Sequence, residues 1–260
     1  MNYFLIILAG IFSLAPISAI AQDAGSATSG KKASRAIRFI FDSKSPPFAF
    51  REGNDTVGFD IDLGEAIGKE LGVEVKWIDV PFDIRAYSNI LEAGNADAAL
   101  AAITITRIRK YFVDFTRPYF STTLAVATRP EVKWDNRAFA RGLENKIVGV
   151  MAGTTGEDWA RKNLKSVIKT YNSPLSLVRS LRQGGNLAFA ILIDDAILSY
   201  LRAHGTTDFK IVEKSFPQEG YGIAVSNSNF KLLAQLNAAL ESIEAEGEYD
   251  RIYNKWFEKK

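Results

Sequence analysis

The sequence predicts an α/β protein with two halves of like organisation, and three observations carry that prediction. Short apolar strands alternate with helical patterns from residue 36 to 115, the texture of a mostly parallel sheet covered by helices. After residues 122–128 the texture restarts. Residues 146–151 (KIVGVM) open a second series of strand, polar turn, helix, strand, helix and strand. A chain of 260 residues is long enough to bury two such cores.

Taken in order, residues 3–15 (YFLIILAGIFSLA) are almost wholly apolar. Ala19-Ile20-Ala21 then fits a cleavage site before Gln22, so residues 1–21 read as a secretory signal peptide. The apolar run is short for a membrane span, and Pro16 interrupts its end. Residues 22–35, rich in Ser, Gly, Ala and Lys, read as a flexible leader. Residues 36–42 (AIRFIFD) are a first strand ending in Asp42, and Pro46-Pro47 impose an extended loop after it. Asp42 and the loop to Phe48 then sit at the carboxyl end of a strand, where open α/β sheets bind ligands.

Gly58-Phe59-Asp60-Ile61-Asp62 leads into a helix to about Leu71, with Asp60 as its cap. A strand over 73–78 and a helix over 84–92 follow. Residues 94–97 form a turn and 98–103 a buried strand. A helix is expected to start near Thr106, before strand-like residues 111–115. In the second half, Gly153-Thr154-Thr155-Gly156 opens a helix to about Asn163, and 167–171 is a strand. Ser173 and Pro174 start a helix to about Gln183. Residues 187–193 (LAFAILI) are a buried strand ending in Asp194 and Asp195. Strands at 209–212 and 221–226, a helix over 227–245 and a final helix marked by Tyr249, Ile252, Tyr253, Trp256 and Phe257 complete the chain.

Composition narrows the function. The formal charge is +2, from 32 basic and 30 acidic residues with both signs interspersed, so no nucleic-acid or membrane footprint stands out. The absence of cysteine excludes disulfides, thiol chemistry and a lipid anchor on Cys, and it suits a bacterial periplasmic protein of this size. The one histidine, His204, has no partner at metal-ligand spacing, and Asp60 with Asp62 is not an EF-hand. No serine sits in G-x-S-x-G. Neither a catalytic set nor a metal or cofactor site is expected, and binding is favoured over chemistry.

Two places suggest what is bound. Thr104 and Thr106 alternate ahead of Arg107 and Arg109, setting hydroxyls beside a fixed cation. A guanidinium fork matches a carboxylate with two parallel bonds. The plainer reading makes Thr106 a helix cap and leaves the arginines solvated. Asp194 ends an all-apolar strand, where a carboxylate is costly unless a cation or N–H groups meet it. A ligand ammonium would serve, and so would a simple helix-cap role. The turn at 153–156 can cradle an anion with backbone N–H groups, and it is not a Walker motif.

Other marks run through the chain: Gly58-Phe59-Asp60-Ile61-Asp62-Leu63, Thr104-Ile105-Thr106 with Arg109, Val113-Asp114-Phe115-Thr116, Gly153-Thr154-Thr155 and Tyr221-Gly222-Ile223-Ala224-Val225. In number, order and spacing they resemble the bacterial extracellular solute-binding proteins of family 3, the polar amino-acid receptors of ABC importers. The resemblance covers about residues 36–257. It implies the type II periplasmic binding protein fold, two α/β lobes joined by two crossover hinge strands. Lobe one would be 36–121 plus 219–260 and lobe two 122–218, with hinges near Ser121-Thr122 and Glu219.

The resemblance also implies roles. Arg109 with Thr104 would hold a ligand α-carboxylate, helped by Thr154 and Thr155. Asp194 and the Ala102 carbonyl would receive the α-ammonium, and Asp42 and Phe48 would complete the ligand site. Departures from the family pattern point to the side-chain pocket. Ser45 stands where an aromatic is common and Ala101-Ala102 where serines are, while Gly156 fills a position that is often Gln or Gly. Ala188 replaces a familiar Asp, and residues 84–89 (IRAYSN) are atypical. Lys44, Ser45, Phe82, Ile84, Arg85, Tyr87 and Gly156 are the pocket candidates. The implied protein is a periplasmic monomer that binds an amino acid or related zwitterion and docks on a membrane permease. The alternatives are a cyclohexadienyl dehydratase-like enzyme of the same fold and a sensory or chemotaxis partner.

Overall fold

The computed structural model describes residues 36–134, 139–184 and 186–258. The expected signal peptide and leader, residues 1–35, lie outside them. No helix among the described residues is long and apolar enough to cross a membrane.

Two sheets organise the chain. The first runs Glu74–Asp79, Ala36–Phe41, Ala98–Ala99, Ala224–Val225, Asp114–Phe115. Ala36–Phe41 and Glu74–Asp79 are parallel, with Ile37 beside Val75 and Ile40 beside Ile78. The helix Phe59–Leu71 makes the crossover between them, as parallel neighbours require. Ala224–Val225, from near the carboxyl end, pairs antiparallel with both Ala98–Ala99 and Asp114–Phe115, so both ends of the chain build this sheet. The second sheet runs Val167–Tyr171, Ile147–Met151, Ala190–Asp194, Phe120–Thr128, Lys210–Glu213. Its first three strands are parallel, linked by the helices Thr155–Asn163 and Pro174–Gln183.

The nine-residue strand Phe120–Thr128 joins the two halves. Its far end pairs with Ala190–Asp194 and Lys210–Glu213. Its near end pairs antiparallel with Gln218–Tyr221, where Glu219 faces Thr122 and Gly220 faces Ser121. The chain therefore leaves and returns along one paired ribbon, and the two positions expected as hinges face each other across it.

Several local expectations give way to the structure. Asp60 does not cap its helix. Gly58 occupies the cap with φ 145°, and a Cβ there would stand 2.0 Å from the Phe48 carbonyl oxygen, so only glycine fits. Asp60 is buried instead. The Pro46-Pro47 loop is a short antiparallel ribbon, in which Lys44–Ser45 pairs with Ala49–Glu52. The expected strand at 98–103 pairs only over Ala98–Ala99, because Ala102 turns to a left-handed φ of 48° and ends the extended run. No α-helix starts at Thr106. The segment makes a single 3-10 turn, Arg109–Tyr111. The apolar run 187–193 is a strand only from Ala190, and the one at 221–226 is split, with Tyr221 pairing Phe120 at the end of Gln218–Tyr221 and Ala224–Val225 pairing separately.

Candidate functional site

The two sheets present their strand ends to a cleft lined by Asp42, Ser45, Phe82, Ala101, Ala102, Thr104, Arg109, Met151, Ala152, Thr154, Thr155, Pro174, Asp194, Ile197 and Tyr221, around a cavity of about 50 Å³. A wider groove of about 860 Å³, between the helix Asp195–Ala203 and the strand Lys210–Glu213, is open and gathers no comparable set of buried polar groups. Convergent buried polar chemistry, not volume, marks the site.

From the first sheet, Asp42 follows the end of Ala36–Phe41 and accepts the N–H groups of Lys44 at 3.0 Å and Phe82 at 3.1 Å. Burial raises its pKa, and those two N–H groups oppose the rise. Ala102 is held in its left-handed turn by donating its N–H to Asp60 Oδ2 at 2.8 Å. Arg109 is buried and fixed on three sides. Its Nη1 donates to the Thr104 carbonyl at 2.8 Å, its Nη2 to the Gly153 carbonyl at 3.1 Å, and its guanidinium carbon lies 5.2 Å from the centre of the Phe82 ring. Burial lowers its pKa, while the carboxylates of Glu219, Asp158 and Asp194 pull it back up.

From the second sheet, Thr154 caps Thr155–Asn163, accepting the Glu157 N–H and donating its own hydroxyl to the Met151 carbonyl at 2.9 Å. Thr154 and Thr155, at that helix start, both line the cleft. Asp194 stands at the end of the buried strand. It occupies the cap position of Asp195–Ala203 yet makes no side-chain cap bond, so the plain cap reading fails. Its Oδ1 is buried without a hydrogen-bond partner. Burial pushes the Asp194 pKa up to about 6, against a hydrogen bond from the Tyr221 hydroxyl and the charge of Arg109.

Thus Asp42, Ala102, Thr104, Arg109, Thr154, Thr155 and Asp194 converge on one cavity, with Ser45 and Phe82 beside them. The remaining candidates do not line it. Phe48 is wholly buried in the core, with its ring against those of Phe59, Phe120, Tyr221 and Phe257. Lys44 and Arg85 are exposed, and Arg85 lies over the Phe112 ring. Tyr87 is buried and donates to the Val80 carbonyl at 3.0 Å. Ile84 packs beside it in the core, and Gly156 lies under Leu192 and Leu124.

The threonine roles also differ from expectation. Thr104 Oγ1 and Thr155 Oγ1 both donate to one oxygen of Glu219, each at 2.9 Å. Glu219 was legible only as a hinge position, and Tyr221 only as part of a strand. A carboxylate placed on a hinge strand is the signal that a hinge can also furnish the cleft.

With the geometry in place, comparison with known proteins is direct. The model of the bacterial extracellular solute-binding proteins, family 3, matches residues 37–259. An arginine-binding periplasmic protein of Mannheimia haemolytica is 33% identical over 223 residues, covering 84% of this chain and 89% of its own. The solved structure of an ancestral arginine-binding protein bound to glutamine superimposes with a TM-score of 0.76 at 35% identity, covering 85% of this chain and 97% of its own. An ancestral amino acid-binding protein, described as a precursor of cyclohexadienyl dehydratase, gives a TM-score of 0.78 at 29% identity over 86% of this chain and 96% of its own. The fold is that of the type II periplasmic binding proteins, and the chain belongs to family 3 of the bacterial extracellular solute-binding proteins.

Proposed function

We propose that the cleft binds a free amino acid with a cationic side chain, and that the protein is the periplasmic receptor that delivers it to the permease of an ABC importer. The observation that carries this reading is charge. Asp42, Asp194 and Glu219 gather in or beside the cleft against one guanidinium, Arg109. A zwitterion alone leaves that excess negative charge unmatched, and a second positive charge on the ligand offsets part of it. Arg109 meets the α-carboxylate with its remaining N–H donors. The open Oδ1 of Asp194 takes the α-ammonium, and Asp42 faces the side chain across Ser45 and Phe82. The arginine-binding relatives support the same ligand class.

Residues 36–121 with 219–258 form one lobe in this reading and 122–218 the other, closing about the paired ribbon. The amino-terminal 21 residues serve as the export signal. The ligand favours closure because it touches groups from both lobes. Binding without turnover is the proposed activity. Calorimetry on protein unfolded and refolded to strip bound ligand tests this, with arginine, lysine, ornithine, histidine, glutamine, glutamate and prephenate as the panel. Tightest binding to a cationic amino acid is the expected result. Preference for glutamate, or binding and turnover of prephenate, overturns it.

A further inference from the structure

The cleft hydroxyls are already committed to the protein. Thr104 Oγ1 and Thr155 Oγ1 donate to Glu219 Oε2 at 2.9 Å each, and Thr154 Oγ1 donates to the Met151 carbonyl at 2.9 Å. A hydroxyl has one proton to give. Toward a ligand, therefore, these three groups offer lone pairs and no donor. Glu219 reaches both threonines because its strand runs back along the ribbon between the sheets, where it faces Thr122. One threonine comes from the segment beside the first sheet, the other from the first turn of a helix on the second. The Glu219 charge is felt across the site, supporting the charged form of Arg109 and opposing that of Asp194.

We propose that Glu219 is a specificity-determining residue for ligand charge. By taking the protons of Thr104 and Thr155 and fixing a negative charge beside Arg109, it turns the cleft toward ligands with an extra positive charge and against those with a second carboxylate. Acting through the cleft, the Glu219 charge opposes a second ligand carboxylate and favours a ligand guanidinium or ammonium. The assignment rests on the amino-acid-binding reading above, and it concerns a residue whose sequence position suggests only a hinge.

The test compares affinities for arginine, glutamine and glutamate in wild type, Glu219→Gln, Glu219→Ala and Glu219→Asp, with thermal unfolding as the check on folding. Removing the charge, by either Gln or Ala, should lower the ratio of arginine to glutamine affinity about tenfold and raise the ratio of glutamate to glutamine about as much. Glu219→Asp should keep the wild-type ratios, which a purely mechanical hinge role would not predict. Parallel changes for all three ligands would overturn the assignment in favour of a closure role. Tightening for all three on Glu219→Gln would also overturn it, marking Glu219 as a rival of the ligand carboxylate. If wild type binds none of the three, the amino-acid reading itself fails. If wild type binds them and the charge-neutral variants keep its ratios, only the Glu219 assignment fails.

Discussion

Asp60 and Asp194 are both buried carboxylates, and the protein treats them in opposite ways. Asp60 is closed off by its own chain. It accepts the Ala102 N–H at 2.8 Å and the Tyr119 hydroxyl at 3.0 Å, and burial pushes its pKa up to about 7. Asp194 keeps one oxygen without a partner at the edge of the cleft, with a pKa pushed up to about 6. Equal chemistry thus serves two ends. The satisfied carboxylate is a structural part that holds Ala102 in a left-handed turn, a conformation costing a non-glycine residue about 1–2 kcal/mol. The unsatisfied one carries a desolvation cost that a ligand cation would offset under the proposed function.

The contrast predicts different failures, and Asp60 gives the largest. Asp60→Ala leaves the Ala102 N–H and the Tyr119 hydroxyl unpaired in the core. The expected loss is about 3–4 kcal/mol of stability, or roughly 10 °C in melting temperature without ligand. Melting close to wild type would show that Asp60 does not carry this part of the fold. Arg109→Ala comes next. It removes the donor fork and leaves Asp194 and Glu219 without their cation, so calorimetry should find ligand affinity lower by about 3 kcal/mol, more than a hundredfold. Retained affinity would mean that the ligand carboxylate binds elsewhere.

Asp194→Asn sharpens the comparison. It removes a buried charge that the unliganded protein does not satisfy, so the melting temperature without ligand should hold or rise. Affinity should fall by about 2 kcal/mol, because the ammonium loses its charged partner. The two measurements must part company. If Asp194→Asn destabilises the empty protein as much as Asp60→Ala does, Asp194 is a structural carboxylate too, and the distinction is lost.

How far the sequence foretold this depends on the kind of signal. The α/β alternation and the carboxyl ends of strands were legible, because periodicity and strand-terminal polar residues are local properties. Asp42 and Asp194 end apolar strands, and Arg109 follows a hydroxyl-bearing run, so their convergence needed little beyond the fold class. Phe48, Arg85 and Tyr87 were placed in the pocket and lie elsewhere. Residue type does not say which side of a short ribbon or helix turns inward, and the packing of Phe48 against four other rings decides it. The expected helix at Thr106 failed because Arg109 is tied to the Gly153 carbonyl and Asp114–Phe115 to Ala224–Val225, a tertiary constraint that outweighs helix propensity. Glu219 was read as a hinge alone, since its partners lie 115 and 64 residues away.

The last expected effect is on pH, and it separates the two carboxylates once more. Both have folded-state pKa values above the usual value of about 3.9. The folded protein therefore holds these protons more tightly than the unfolded chain does. Their contribution to stability is fully present below about pH 4 and is lost as pH rises through about 6 for Asp194 and about 7 for Asp60. Acidifying the ligand-free protein from pH 8 to 5 should raise its stability. Asp60→Asn should flatten the upper part of that window and Asp194→Asn the lower part. Affinity runs the other way, because Asp194 must be ionised to receive an ammonium. It should fall below about pH 6, approaching tenfold per pH unit, and Asp194→Asn should abolish that dependence. An affinity that stays flat from pH 7 to 5 in wild type would remove Asp194 from the ligand's contacts and leave it, like Asp60, a part of the scaffold.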